Sequence, residues 1–153
     1  MPGTPVPVQR PLPLMIGGGG PRILRLAARR ASIVAFVPRS LPDGGLDPVE
    51  FGLEPFEQRV AALEAAVAEV GRTEPLERSI LVFETYASVD DVRTGDWVRS
   101  DLVAASPYAL VGDTDAMADQ LQERRERWGI SYVVCYESDL ARMLRVARKL
   151  AGS

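Results

Sequence analysis

Four short apolar runs recur along this chain, each followed by residues at helical spacing. That alternation limits the folds open to it more than any other feature. The runs are Leu12–Ile16, Ser32–Val37, Ser79–Ala87 and Ile130–Tyr136. They are apolar over most of their length, as strands are when helices cover a parallel sheet, and Ser32–Val37 is in addition β-branched. The spacing predicts a first helix through Ile23, Leu26, Ala27 and Arg30, opened by Pro21 at a position where a missing N–H loses no helical bond. A second carries Phe56, Val60, Leu63, Val67 and Val70 at alternating steps of four and three and stops at Gly71. A third, capped by Asp113 or Thr114, carries Met117, Leu121 and Trp128 and stops at Gly129. In the closing helix, Leu140, Met143, Leu144, Ala147 and Leu150 are expected to form the inner face. Residues 38–54 read as a long loop, and a short helix is expected around Trp97–Ala104.

Strand then helix, four times over, fits either an open doubly wound sheet or a run of (β/α) barrel units. A complete barrel takes about 250 residues, so 153 residues supply about half of one. No internal sequence repeat links the four units. Residues 1–11 read as a proline-rich extended segment, 12–150 as the folded domain and 151–153 as a tail.

Composition removes several function classes. A net charge of −3, with the cations scattered among acids, argues against a general nucleic-acid or anionic-membrane binder. The chain has no histidine, which excludes His-based triads, His-ligated metal sites and imidazole acid–base chemistry, and no metal is expected. One cysteine, Cys135, allows no intramolecular disulfide, so a reducing cytoplasm is the simplest setting. It sits in an apolar run and reads as a packing residue, as do Trp97 and Trp128. No apolar run reaches the roughly 20 residues of a membrane span.

Between the first run and the first helix stand Gly17, Gly18, Gly19 and Gly20, followed by Pro21 and Arg22. Exposed N–H groups and the positive end of a helix dipole make such a place an anion site, and glycine lets the backbone approach a phosphate. The run completes neither the dinucleotide fingerprint nor a Walker loop, since Arg22 stands where the third glycine would be and no Gly-Lys-Ser/Thr follows. By spacing alone it serves a phosphate-binding turn and a merely tight strand-to-helix turn equally well. In a parallel sheet, polar residues at the C-terminal strand ends face a ligand. Glu84, Thr85 and Tyr86 hold that place on the third run, and Tyr136 and Glu137 on the fourth, as substrate-pocket candidates.

The stretch SPYALVGDTDAMADQLQERRERWGISYVVCYE, Ser106–Glu137, resembles the C-terminal end of the luciferase-like monooxygenase superfamily, in its actinobacterial branch of oxidoreductases dependent on the deazaflavin coenzyme F-420. PLPLMIGGGGPRILRLAARRASIVAF, from Pro11, is similar to the same family's strand–glycine–helix–strand segment. The resemblance implies the C-terminal half of a (β/α)8 TIM barrel, four parallel strand–helix units. It also implies that Gly17–Gly20, Pro21 and Arg22 lie against the cofactor's phosphate-bearing tail. Phe36 and Val37 end the next strand, where members contact that tail, although a small polar residue is common there. Ala31-Ser32 stands where the branch has Ala-Asp. The first four strand–helix units of the family are not in this sequence, which implies a truncated or split chain and leaves the catalytic residues unknown.

Two functions are carried forward. In the first, the chain is part of a coenzyme F-420-dependent oxidoreductase, with FMN as the alternative cofactor, that exchanges a hydride with a small organic substrate. In the second, it is a catalytically inactive half-barrel that acts by assembly, through a homodimer or a complementary N-terminal half, because two strand edges are left unpaired. An independent flavodoxin-like sheet, with both faces covered, is a third and lesser reading.

Overall fold

Each apolar run becomes a strand, and each amphipathic segment becomes a helix laid on the same side of the sheet. The computed structural model describes residues 8–41, 43–45, 47–92 and 100–152. Within them the chain runs β1 (Met15–Gly18), α1 (Pro21–Arg30), β2 (Ile33–Phe36), α2 (Leu53–Val70), β3 (Glu77–Val82), β4 (Glu84–Tyr86), α3 (Ser100–Val103), β5 (Ala109–Val111), α4 (Thr114–Trp128), β6 (Ile130–Cys135) and α5 (Leu140–Ala151). Four strands form one parallel sheet in the order β1-β2-β3-β6, and β4 pairs with β5 in a second, two-stranded parallel sheet. The architecture is α/β, parallel strands alternating with helices, and it matches a partial TIM-barrel-like fold.

Three boundaries differ from the sequence reading. β1 starts at Met15 and runs on through Gly17 and Gly18, which pair with Ala35 and Phe36, so half of the glycine run is strand. The third run breaks at Phe83, whose N–H turns to the Tyr108 carbonyl at 2.8 Å, and the strand changes partner there from β6 to β5. β5 itself, three residues long, is too short for its periodicity to show. The loop expected over 38–54 contains a 3₁₀ turn at Pro48–Phe51, capped by the Asp47 carboxylate on the Val49 N–H at 3.0 Å. The short helix expected near Trp97 is present as α3, whereas Trp97 lies outside the described residues.

Sequential strand order with right-handed crossovers places every helix on one face. On that face Val34, Phe36, Ile80 and Val82 are fully buried under Leu24 and Ala27 of α1, Phe56 and Leu63 of α2, Met117 of α4 and Val146 of α5. Trp128 packs edge-on to Phe56, ring centres 4.9 Å apart, as a packing aromatic. α2 and α4 end at left-handed glycines, Gly71 and Gly129, and α4 is capped by Asp113, which accepts from the N–H groups of Asp115 and Ala116.

The other face of the sheet is open at its two edge strands among the described residues. Met15 of β1 and Tyr132 and Val134 of β6 are 42 %, 44 % and 39 % exposed. On the central strands, by contrast, Ile33, Ala35 and Leu81 are half-buried and Ser79 is buried. An open doubly wound sheet would carry helices on this side too. A barrel would enclose it. The closing helix needs a correction for the same reason. Val146, Met143 and Leu150 pack inward, but Leu140 and Leu144 are each 47 % exposed and Ala147 is also exposed. The apolar positions of α5 form two stripes, and only one of them has something to cover it.

Candidate functional site

The glycine run divides into two glycines that the fold requires and two that it does not. Gly18 has φ +155°, a conformation side chains rarely adopt, and a Cβ there would lie 2.6 Å from Ile23 Cγ2. A Cβ on Gly19 would lie 2.5 Å from the Val37 carbonyl oxygen and 2.7 Å from Arg59 Cδ. At Gly17 the contacts would be ordinary, 3.6 Å to Val37 and 3.7 Å to Ala35. At Gly20 a Cβ would meet nothing within 4 Å among the described residues. Gly20 is the N-cap of α1 and has no side-chain cap; Pro21 follows as the first helical residue and brings no N–H. The N–H groups of Ile23 and Leu24 both turn to the Gly20 carbonyl, at 3.0 Å each, which leaves Arg22 to offer the first-turn N–H. The open approach to this helix end is therefore at Gly20 and Arg22.

The neighbouring strand end is only partly available. Val37 is half-buried, with its carbonyl against Gly19, so it joins the turn. Phe36 points the other way: its ring is fully buried, edge-on to Phe56 at 5.3 Å. The side chain of Arg22 lines a shallow groove with Arg25, Leu26 and Arg29 along the outer side of α1.

Beneath the turn lies a charged group that the sequence reading passed over. Arg59 of α2 is 4 % exposed and pairs through Nη1 with Glu50, itself 5 % exposed. Its Nη2 donates to the Glu50 carbonyl at 2.5 Å, and its guanidinium lies 5.8 Å from the centre of the Tyr108 ring. The exposed Arg39 closes the other side of the carboxylate, with Nε 3.0 Å from Oε1. Hydrogen bonding from Arg39, joined by the charge of Arg59, holds the Glu50 carboxyl below its usual range. Burial pushes the Tyr108 phenol up to about 12 despite the neighbouring Arg59 charge. Arg59 Nε and the Tyr108 hydroxyl are buried and have no hydrogen-bond partner among the described residues.

A second polar group sits at the C-terminal ends of β4 and β6. The Tyr86 hydroxyl donates to Glu84 Oε2 at 2.5 Å, so two substrate-pocket candidates meet. Tyr136 is 49 % exposed and lies edge-on to Phe83 at 6.0 Å, while Glu137 is exposed at the start of a 3₁₀ turn. Between the strands, Asp139 accepts from the Thr85 N–H and hydroxyl, and Arg142 of α5 donates to the Thr85 carbonyl at 2.9 Å and its hydroxyl at 3.0 Å. Thr85, Tyr86, Asp90, Asp91 and Arg142 line a cavity of 510 Å³. Cys135 is half-buried, and burial, followed by the charge of Asp139, raises its pKa and keeps it a thiol. The strand ends thus carry the N-terminus of α1 on one side and carboxylate, hydroxyl and guanidinium groups on the other. Among the described residues no group of three or more acidic or Cys side chains is placed to hold a metal, and no helix is long and apolar enough to cross a membrane.

Several positions of the Ser106–Glu137 stretch prove to be fastenings. The Ser106 hydroxyl donates to the Phe51 carbonyl at 2.8 Å and accepts the Tyr108 N–H at 3.2 Å. Buried Arg124 donates to the carbonyls of Ser106 and Ala109, tying α4 to β5; burial lowers its pKa to about 10, so it stays charged at neutral pH. Arg127 bridges to Glu57 of α2 at 2.6 Å.

No protein-family model matches this chain, and no curated protein matches it. A solved structure is similar: an F-420-dependent secondary alcohol dehydrogenase in complex with an F-420–acetone adduct, at 16% sequence identity and a TM-score of 0.52. The similarity covers 81% of this chain and 42% of that one. At that identity it establishes the fold. The chain spans less than half the length of the dehydrogenase it resembles.

Proposed function

We propose that this chain forms the C-terminal part of a luciferase-like, coenzyme F-420-dependent oxidoreductase and supplies the turn that receives the cofactor's phosphate tail. The fold shared with an F-420-dependent dehydrogenase supports this, and the open backbone at Gly20 carries it: room for a ligand remains there after the protein's own packing has filled the space at Gly18 and Gly19. Gly20 and the Arg22 N–H would hold the phosphate at the positive end of α1. When bound, the deazaflavin supplies the hydride chemistry, with FMN the alternative group. Glu84 and Tyr86 hold a polar rim toward a small organic substrate. Titrating the 153-residue chain with the coenzyme and with a phosphate-free analogue tests this reading. Affinity at least about tenfold higher for the phosphorylated form, a difference of about 1.4 kcal/mol, is expected. Equal affinities, or none for either compound, refute tail binding.

A second reading is favoured by the sheet's two open edges, β1 and β6, with their exposed apolar residues. Here the chain is a truncated, catalytically inactive half-barrel that acts by pairing with another copy or with a complementary half. Its mass in solution, alone and with candidate halves, separates this reading from the first.

A further inference from the structure

Two cations flank the glycine turn, and a single carboxylate serves both. Arg59 lies beneath it: a Cβ on Gly19 would come within 2.7 Å of its Cδ and 3.6 Å of its Nε. That Nε is buried and has no hydrogen-bond partner among the described residues. Arg39 stands two residues beyond Val37, whose carbonyl oxygen abuts Gly19. Its Cα is therefore at most about 7.6 Å from that of Val37, a distance an arginine side chain can span. Both guanidiniums meet on Glu50, Arg59 at Oε2 and Arg39 at Oε1.

The two bonds are unlike. Arg59 is buried and also donates to the Glu50 carbonyl, which fixes it. The Arg39 side chain is 68 % exposed, and an ion pair open to water on one side holds weakly. When Arg39 turns away, Glu50 keeps Arg59, so no buried charge is left unpaired. Asp47, the other acid acting on Arg39, is already turned to the Val49 N–H at 3.0 Å. α1 itself offers an anion its backbone N–H, while the Arg22 side chain lines the outer groove with Arg25, Leu26 and Arg29. A guanidinium on the facing loop adds what backbone lacks: a full charge and two parallel donors.

We propose that Arg39 is a second contact for the phosphate at this turn: its guanidinium exchanges Glu50 for the phosphate oxygens, and Glu50 stays with Arg59. The proposal rests on the tail-binding reading above. It makes phosphate recognition the joint work of backbone from α1 and charge from the loop after β2.

The full chain, Arg39→Ala and Arg39→Lys are titrated with the coenzyme and with its phosphate-free analogue. Arg39→Ala is expected to bind the phosphorylated form on the order of tenfold more weakly, as befits a charge-assisted hydrogen bond. Its affinity for the analogue should stay within about twofold of wild type. Arg39→Lys, which keeps the charge and loses the fork, should fall between the two. Raising the salt should shrink the preference for the phosphorylated form more in wild type than in Arg39→Ala. Arg39→Ala that binds the phosphorylated form as wild type does overturns the role of Arg39 and leaves tail binding intact. Equal weakening of both compounds overturns it too, because that marks a structural role. Wild type without a preference for phosphate overturns the tail reading, and this inference with it. The urea midpoint of Arg39→Ala should lie within about 0.3 M of wild type; a larger drop would show that Glu50 cannot part with Arg39, and the exchange would fall.

Discussion

Gly19→Ala and Gly20→Ala place the same methyl group on adjacent residues and should have opposite consequences. At residue 19 the new Cβ would approach the Val37 carbonyl oxygen to 2.5 Å and Arg59 Cδ to 2.7 Å. A long side chain often swings aside, but Arg59 is pinned by Glu50 at two of its nitrogens, and the carbonyl belongs to backbone. The strain must therefore move the turn itself, and overpacking of this kind costs about 1–3 kcal/mol; the fixed neighbours put the expected value near the upper end. At residue 20 the backbone is ordinary, φ −83° and ψ 151°, and the methyl meets nothing. Stiffening the unfolded chain contributes about 0.4–1 kcal/mol, while losing glycine at an N-cap costs about as much, so the two nearly cancel. Urea unfolding followed by Trp fluorescence measures both. With a slope of about 2 kcal/mol per M, Gly19→Ala should lower the midpoint by about 1.5 M, and Gly20→Ala by less than about 0.3 M. Coenzyme titration then adds the second axis: Gly20→Ala should weaken binding of the phosphorylated cofactor without loss of fold. If Gly20→Ala destabilises as much as Gly19→Ala, the division of the glycine run into packing and ligand positions is wrong.

Other expected outcomes follow from the buried charges. Glu50→Ala leaves Arg59 buried without its carboxylate and should cost about 3–5 kcal/mol in urea unfolding, whereas Glu50→Leu with Arg59→Met should recover most of that loss. The depressed pKa of Glu50 contributes stability that is present above the ordinary carboxylate value of 4.5 and lost as pH falls through the folded value. Urea midpoints at pH 3 and pH 7 should therefore differ more in wild type than in Glu50→Gln. Tyr108 has the opposite sign: its pKa, raised from 10.0 to about 12, makes its contribution complete below pH 10 and lost as pH rises toward 12. Roughly 1 kcal/mol of alkaline destabilisation, about half of the full effect, should develop between pH 9 and pH 11 in wild type and disappear in Tyr108→Phe, measured by unfolding at both pH values.

The elements were legible because the apolar runs and stripes are long enough for their period to show; the buried charges were hidden inside those same stripes. Arg59 lies three residues after Phe56 and four before Leu63, and Arg124 bears the same relation to Leu121 and Trp128. Both arginines are therefore on the buried face by helical geometry, a signal present in the sequence but overshadowed by the apolar residues around it. Glu50 gave no such signal, since its burial depends on a 3₁₀ turn in a segment without periodicity. On α5 the sequence showed a broad apolar surface and could not show which part is covered, because that depends on what lies beside the helix. At the rim, the pairing of Glu84 with Tyr86 follows from strand alternation, which puts i and i+2 on one side. The bond from Arg142 to Thr85 joins residues 57 positions apart and needed the fold.

Tail binding at α1 is expected to be confined to its first turn. The N-terminal end offers Gly20 and the Arg22 N–H to an anion, while Arg25, Leu26 and Arg29, one and two turns on, line the outer side of the helix. An anion at the N-terminus interacts with the first turn and is screened beyond it, so Arg29 contributes little to tail binding. Arg29→Glu should therefore leave coenzyme affinity within about twofold, well under 1 kcal/mol. Arg22→Glu should weaken it, since it sets a carboxylate beside the phosphate. Isothermal titration of both variants with the coenzyme separates these effects. Equal losses of coenzyme affinity for Arg22→Glu and Arg29→Glu would mean that the helix acts as one undivided basic surface, and the distinction between its end and its side would fall.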